Sequence, residues 1–568
     1  MKPSIILVFS LLVFLSFTSE RPYPQDYFRV PVNGELRLSG TFGELRPNHF
    51  HSGIDIKGTV GIPLYAAADG FVSRIKVQGG GYGKVLYISH PNGYTTVYAH
   101  MDKFVPELES FIKSVQYSER SFEIERFPAK DRFYFKKGEK IGTMGITGNS
   151  FGPHLHFEIR DSRNQKPINP LLFGLRAADQ RPPRFQLLKL YHLNPEHETN
   201  DTEVYGLLGS DGNYRTQGDT LLVGAWRIGV GLKVYDQLDE LPNKNGPYSF
   251  ALLVDDVPVY EFEMEAFAFA ESRYLNAHLD YEAQVEGQGY INRLYRLPGN
   301  RLSLYKKKKE DGVIALTEHR AKKVEIVVKD LGGNTSKLQF WVKRKKVEPA
   351  KDRAPYNYVF PFDEENILRN ASIRVRFPSG SFYENTYFFY EAANDQSDNV
   401  FSAVHHLHQH TTPVHRYFDI AIQPRSIPID LMDKAFIAYC DKNNNVTNFG
   451  GEWKDGMVHG KARILGDFCI MIDNEAPTIT PITFQNNMKG YNLMSFKIED
   501  NFRTGGRARG LRYRGTIDGQ WVLLTYDAKK NLLTHRFEED LAAGQHQFRL
   551  VVTDDRGNEA VLERSFVH

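Results

Sequence analysis

The sequence predicts a mainly β protein assembled from several successive modules. Short runs of alternating apolar and polar residues, separated by Gly, Asn, Asp and Pro, dominate the chain, and apolar residues at helical spacing are scarce. A length of 568 residues exceeds what a single hydrophobic core supports. Boundary-like segments also recur: DQRPP (Asp179 to Pro183) and DNEAP (Asp473 to Pro477) each set an aspartate four residues before a proline that opens a new alternating run.

The N-terminus reads as a secretory signal peptide over residues 1–19. Lys2 precedes an apolar run from Ile5 to Phe17 that is broken only by Ser10 and Ser16, and polar residues follow at once. No cysteine follows the run, so a lipid anchor is not indicated, and no later stretch approaches the ~18 apolar residues of a membrane helix. The expectation is a periplasmic or secreted protein with no stable membrane span after signal cleavage. Apolar residues make up 41% and charged residues 25%, which describes a folded chain rather than a disordered one. The net charge is only +2, so no global field argues for a nucleic-acid partner.

Residues 20–178 form the catalytic candidate. KVLYISHPNGYTTVYAH gives two strands around a Pro-Asn-Gly turn, a hairpin signal. In FGPHLHFEIR (151–160) side chains repeat with period two, so His154 and His156 point one way while Leu155 and Phe157 point to a core. Upstream, in FGELRPNHFHSGIDIKG (42–58), His51 and Asp55 share one parity. A fully extended chain at ~3.3 Å per residue would hold them too far apart for one metal, but Gly53 lets the chain bend or another strand come close. With one imidazole from HLH, either His154 or His156, the set is two nitrogens and one carboxylate. That donor set leaves the fourth position of a catalytic zinc open for water.

HSGID and HLHFEIR, joined by GYGKVLYISHPNGYTTVYAHM and FKKGEKIGTMGITGNSFGP, resemble the LytM/lysostaphin-type zinc endopeptidases that cut peptide cross-links of bacterial cell walls. The resemblance covers residues 28–175. It implies an antiparallel β-sheet peptidase domain in which His51, Asp55 and His156 bind one Zn2+ and His100 and His154 are catalytic, and it implies peptidoglycan stem or bridge peptides as substrate. Two imidazoles beside the metal would replace the glutamate base of HExxH proteases, a motif absent here. Two other readings are a catalytically silent activator of another wall hydrolase and an adhesive or scaffold protein. One departure from the family is an insertion over residues 102–134, in which ELESFIKSVQY suits a short helix and SFEIERF a strand. It could wall the groove or cover it as a lid.

Among the remaining histidines, His49 suits a surface or structural role, with support of the metal ligands from behind as the alternative, and His90 a turn. His406, His408 and His410 in HHLHQH would share one strand face, either as an exposed polar face or as a metal trap.

Three further β modules are expected, over 179–345, 346–473 and 474–568. VVKDLGGN (327–334) and VVTDDRGN (551–558) each run a strand into a turn capped by Asp and closed by Gly-Asn. They resemble the closing hairpins of immunoglobulin-like sandwiches, which implies Ig-like sandwiches for the first and last of these modules; a β-sandwich is expected for the middle one as well, and the three C-terminal modules could bind an envelope protein partner. KKKK (306–309) and KRKK (343–346) read as solvated loops or as grips for anionic polymers. Cys440 and Cys469, the only cysteines, are either disulfide-bonded or two free thiols.

Overall fold

The structure is a computed structural model that describes residues 22–194, 199–239, 241–346, 354–395, 397, 399–537 and 541–568. The expected signal peptide at 1–19 lies outside the described residues. Strands dominate throughout, and buried apolar side chains gather into four principal clusters along the chain.

The N-terminal unit is built on one antiparallel sheet. Its strands are β1 (Leu38–Gly40), β2 (Ile54–Lys57), β3 (Gly70–Val77), β4 (Lys84–Ser89), β5 (Tyr94–Ala99), β6 (Ile124–Arg126) and β7 (His154–Asp161), in the spatial order β1-β2-β7-β5-β4-β3-β6. β4 and β5 form the expected hairpin around the Pro-Asn-Gly turn. β7 is therefore a central strand, and its two faces differ. Leu155, Phe157 and Ile159 are fully buried among Ile54, Ile56, Leu86, Ile88 and Tyr98, while His154, His156, Glu158 and Arg160 take the other face. A small sheet of Pro63–Tyr65, Met101–Phe104 and Lys140–Met144 covers the apolar side through Leu64, Phe104 and Ile141.

The 102–134 insertion packs against the main core. It forms helix α1 (Pro106–Glu119), started by Pro106 and ended at Arg120 in the left-handed region, and then edge strand β6. Leu108 and Ile112 of α1 are buried in the main core.

Residues 184–344 form two layers that share the long strand Thr199–Ser210, whose first half pairs with Arg184–Leu193 and whose second half pairs with Asn213–Val223. Their inner faces meet through Leu188, Val230, Leu252, Ile326 and Phe340. This cluster also takes in Phe42 and Phe50, so the hairpin before His51 is packed from outside its own unit. Residues 358–472 form a two-stranded pair, a five-stranded sheet and a further sheet of five strands to which Arg503–Thr504 of the last unit adds a sixth, and residues 478–567 form two four-stranded sheets, around separate cores.

Several local expectations are corrected. Strand Ala403–Leu407 ends before His408, which takes a positive φ of 54°, so the three histidines do not share a face. His406 pairs with Asp467, His408 stacks on Phe388, and His410 faces Glu286. Of the two alternatives left open for the cysteines, the structure has the free thiols, on adjacent antiparallel strands. The KKKK run is not a loop: Lys306–Lys308 lie on a strand and Lys306 pairs with Glu265. Within KRKK, Arg344 is buried against Trp226 and Glu318.

Leu155 is fully buried between the two histidines of β7. Leu155→Ala is expected to lower stability by about 3 kcal/mol in urea unfolding, the usual cost of a cavity at a leucine site.

Candidate metal centre and active site

Three strands deliver the polar residues to one place. In the register of β7, His156 stands opposite Asp55 on β2 and Ala99 on β5, the residue before His100. His51 comes from the irregular turn leading into β2. Gly53 permits that turn, because a Cβ there would sit 2.4 Å from the Phe157 carbonyl oxygen and 3.1 Å from the His156 ring.

His51 Nε2, His156 Nδ1 and Asp55 Oδ1 lie 3.0 Å from one another, pair by pair. All three side chains are buried. The second nitrogen of each ring is committed elsewhere. His51 Nδ1 donates to the Thr41 carbonyl at 2.7 Å, and His156 Nε2 donates to Glu158 Oε1 at 2.8 Å. These acceptors fix the tautomers and turn the lone pairs of His51 Nε2 and His156 Nδ1 towards each other and towards a carboxylate oxygen. Two lone pairs and an anionic oxygen in mutual contact call for a positive charge among them, which a proton on His156 Nδ1 supplies in the metal-free chain and a metal ion would supply in its place. The donor set, two imidazoles and one carboxylate, fits zinc. Arg46 Nη2 holds Asp55 Oδ2 at 2.7 Å, which leaves Oδ1 as the oxygen to offer.

The sequence reading did not single out Glu158 or Arg160. Glu158 is fully buried and accepts from His156, from Tyr82 Oη at 2.5 Å and from Ser52 Oγ at 2.8 Å, and its second oxygen takes Arg160 Nε at 2.5 Å. Burial alone would raise its carboxyl, but Arg160 and His156 hold it well below the usual carboxylate range. The Arg160 guanidinium is itself sandwiched against Tyr87 and against Phe269 of the next unit. The signal was present in the alternation His154, His156, Glu158, Arg160, four polar residues of one parity interleaved with the apolar Leu155, Phe157 and Ile159.

His100 and His154 border the triad, with ring centroids 4.8 Å apart, and His154 Nε2 lies 3.5 Å from Asp55 Oδ1. His100 takes a φ of 61°, an uncommon left-handed conformation that lifts its ring off β5. Its Nδ1 donates to the Thr147 carbonyl at 2.8 Å, and His154 Nδ1 donates to the Gly152 carbonyl at 2.9 Å. Both rings therefore keep Nε2 for the site. Burial, then the neighbouring His156 and His154, pushes His100 down to about 3, so it stays neutral at ordinary pH.

Residues 146–152 thus orient both rings. This loop is held on one side by Gly148, whose Cβ position would clash with Gly83, and on the other by the C-terminal unit. Lys529 Nζ donates to the Ile146 and Ser150 carbonyls at 2.7 and 2.8 Å. Trp521 meets Tyr117 of α1 edge-on at 5.2 Å, so the insertion serves as the platform for that contact. Of the histidines read as structural, His49 is exposed and bonds the Pro47 carbonyl, and His90 is buried, bridging the Asp69 carbonyl and Thr96 Oγ1.

Residues 49–117 and 116–170 match the family model described as Peptidase family M23, and residues 357–473 match the Zu5-like domain. Among curated proteins, the chain is 33% identical over 160 residues to an uncharacterized metalloprotease of Haemophilus influenzae, covering 27% of this chain and 28% of that protein. It is 35% identical over 148 residues to the DD-carboxypeptidase/endopeptidase Mpg of Neisseria meningitidis, covering 25% and 28%. It is also 32% identical over 150 residues to the murein hydrolase activator NlpD of Escherichia coli, covering 26% and 32%. In each case the match spans less than a third of the relative's length.

Two outcomes follow from the geometry. Glu158→Gln keeps the shape but weakens the acceptor for His156 Nε2–H, and it should reduce zinc affinity by roughly 10- to 100-fold in a chelator competition. Burial by itself would lower His156, but hydrogen bonds with Asp55 and Glu158 override it and raise the ring to about 9 in the metal-free chain. Metal must displace that proton from Nδ1. Apparent zinc affinity is therefore expected to climb by about tenfold per pH unit up to about pH 9 and then level off.

Proposed function

We propose that this chain, whose N-terminal unit is a domain of Peptidase family M23, is an exported zinc endopeptidase that hydrolyses the stem or bridge peptides of peptidoglycan in the periplasm or outside the cell. The observation that supports this most is the joint presence of a three-donor metal set and two further imidazoles beside it, each with Nδ1 tied to a backbone carbonyl. Held by His51, Asp55 and His156, Zn2+ would polarise the scissile carbonyl and bring the pKa of water to roughly 7.

The remaining work falls to the chain's own side chains. His100 and His154, each with Nδ1–H tied to a backbone carbonyl, present Nε2 as a hydrogen-bond acceptor for the attacking water. The proton taken up at one Nε2 turns that ring into a donor, able to protonate the departing amine or to hold the oxyanion. A ring as firmly neutral as His100 holds such a proton only briefly. Glu158 and Arg160 act at one remove by fixing the ring plane of His156.

The relative named as a murein hydrolase activator favours a second reading, in which the domain regulates another hydrolase. All five side chains expected of an active site are nevertheless present and gathered.

The test is zinc content together with release of soluble muropeptides by the full chain, on directly cross-linked and on glycine-bridged walls. The wild type should hold one zinc and release products. His156→Ala should lose the metal, while His100→Ala and His154→Ala should keep it and slow release by about 100-fold or more. Stoichiometric zinc with intact cross-links in the wild type would support the activator reading instead, and loss of zinc from His154→Ala would overturn the division of roles.

A further inference from the structure

The two boundary echoes and the two closing-hairpin echoes in the sequence converge in space. Asp179, from DQRPP, meets Asp236 and Asp330, which directly follow strands Arg227–Tyr235 and Lys322–Lys329. Asp473, from DNEAP, meets Asp500 and Asp554, which directly follow Leu493–Glu499 and Gln545–Thr553. In each trio one carboxylate oxygen per residue lies within 4.8 Å of the other two.

The scaffolding around the trios is also built twice. Asp330 Oδ1 accepts from the Asn334 backbone at 2.9 Å, and Asn334 Nδ2 donates to Asp330 Oδ2 at 2.8 Å and to the Asp179 carbonyl at 3.3 Å. Asn558 repeats all three bonds, to Asp554 Oδ1 at 2.8 Å, to Asp554 Oδ2 at 2.7 Å and to the Asp473 carbonyl at 2.9 Å. Each aspartate thus comes from a different part of its module: the entering linker, the end of an early strand and the end of the penultimate strand.

Clustered acids are common, and the decisive observation is a second one. Asp236 is 3% exposed and its Oδ1 has no hydrogen-bond partner; Asp473 is 1% exposed and its Oδ2 has none. Asp500 Oδ1 is buried and unpartnered as well. A buried carboxylate oxygen without a donor is costly, and two carboxylates beside it add repulsion. Nearby cations are engaged elsewhere: Arg181 faces Asp239, Lys434 Nζ donates to Asn558 Oδ1 and the Arg556 carbonyl, and Arg556 pairs with Asp555. Burial and mutual repulsion push the carboxyl of Asp236 up to about 8.

We propose that each trio binds one calcium ion, so that the chain carries two calcium sites apart from the zinc centre. All-oxygen donors suit a hard cation, and calcium's flexible shell of six to eight oxygens accepts three carboxylates that lie within 4.8 Å of one another, with water completing it. Magnesium, which keeps several waters and is usually bound through one or two carboxylates, suits three converging aspartates less well. Each ion ties an entering linker to two strand ends and so fixes how its module sits on the preceding one. The first trio lines a cavity that Thr41, Asn169 and Leu175 of the catalytic unit also line. The second anchors the unit whose Lys529 reaches the catalytic loop.

The full chain, stripped with EGTA and resupplied with one equivalent of zinc, is titrated with CaCl2 by equilibrium dialysis. Two calcium ions per chain are expected, with Mg2+ competing at least tenfold more weakly. Asp236→Asn and Asp500→Asn should each lose one ion, and the double variant both, together with the calcium-dependent rise in melting temperature. Tb3+ luminescence of the unsubstituted chain gives an independent reading: Tyr248, which lines the first cavity, should sensitise emission that Ca2+ abolishes. Absence of bound calcium in the wild type would overturn the proposal. So would two ions retained by the double variant, or Tb3+ emission that Ca2+ does not displace; one ion retained by the double variant would strike the trio that failed to lose it.

Discussion

The register of one strand governs the rest of the structure. β7 is hydrogen-bonded on both sides, with His156 opposite Asp55 on one neighbour and Ala99 on the other. A slip of one residue would send His154, His156, Glu158 and Arg160 into the core and turn Leu155, Phe157 and Ile159 outward. Burying three large apolar side chains at full depth forbids that slip at a cost of several kcal/mol, at about 1.5–3 kcal/mol each. The metal donors are therefore placed by packing on the opposite face of the same strand, and the chemistry inherits its precision from the hydrophobic core.

Electrostatics then extends the site outward in layers. Asp55 is shared between the donor set and Arg46, while Glu158 is shared among His156, Tyr82, Ser52 and Arg160. A buried ion pair such as Glu158–Arg160 adds little net stability over an apolar pair, but removing one partner strands the other. Its contribution lies in orientation, since it pins the ring of His156 from behind. Two other units take part: Phe269 covers Arg160, and Lys529 grips the loop whose carbonyls hold His100 and His154. The C-terminal units are thus physically continuous with the site rather than appended to it.

Much of this was legible in the sequence for simple reasons. Period-two patterning on β7 exposed both the core and the polar face, and the Pro-Asn-Gly hairpin and the helix within the insertion followed from turn chemistry and spacing. Bringing His51 together with Asp55 depended on Gly53, visible as a glycine, but its purpose, the approach of the Phe157 carbonyl, is a tertiary fact. Glu158 shared the parity of the histidines and was overlooked because an acidic residue on a strand face ordinarily meets solvent. The histidine run at 405–410 misled because alternation was extended past the strand end, where His408 turns to positive φ. The docking of residues 521–529 on α1 and on the loop from Ile146 to Ser150 joins segments nearly 400 residues apart, and no local pattern encodes it.

The central claim is that His51, Asp55 and His156 surround one zinc ion with its fourth side open. Zinc-edge X-ray absorption on the loaded chain measures this directly. The account predicts a first shell of nitrogen and oxygen only, at ~2.0–2.1 Å, with the imidazole outer-shell scattering of two histidines. A sulfur shell near ~2.3 Å, or scattering from three or more imidazoles, would contradict it.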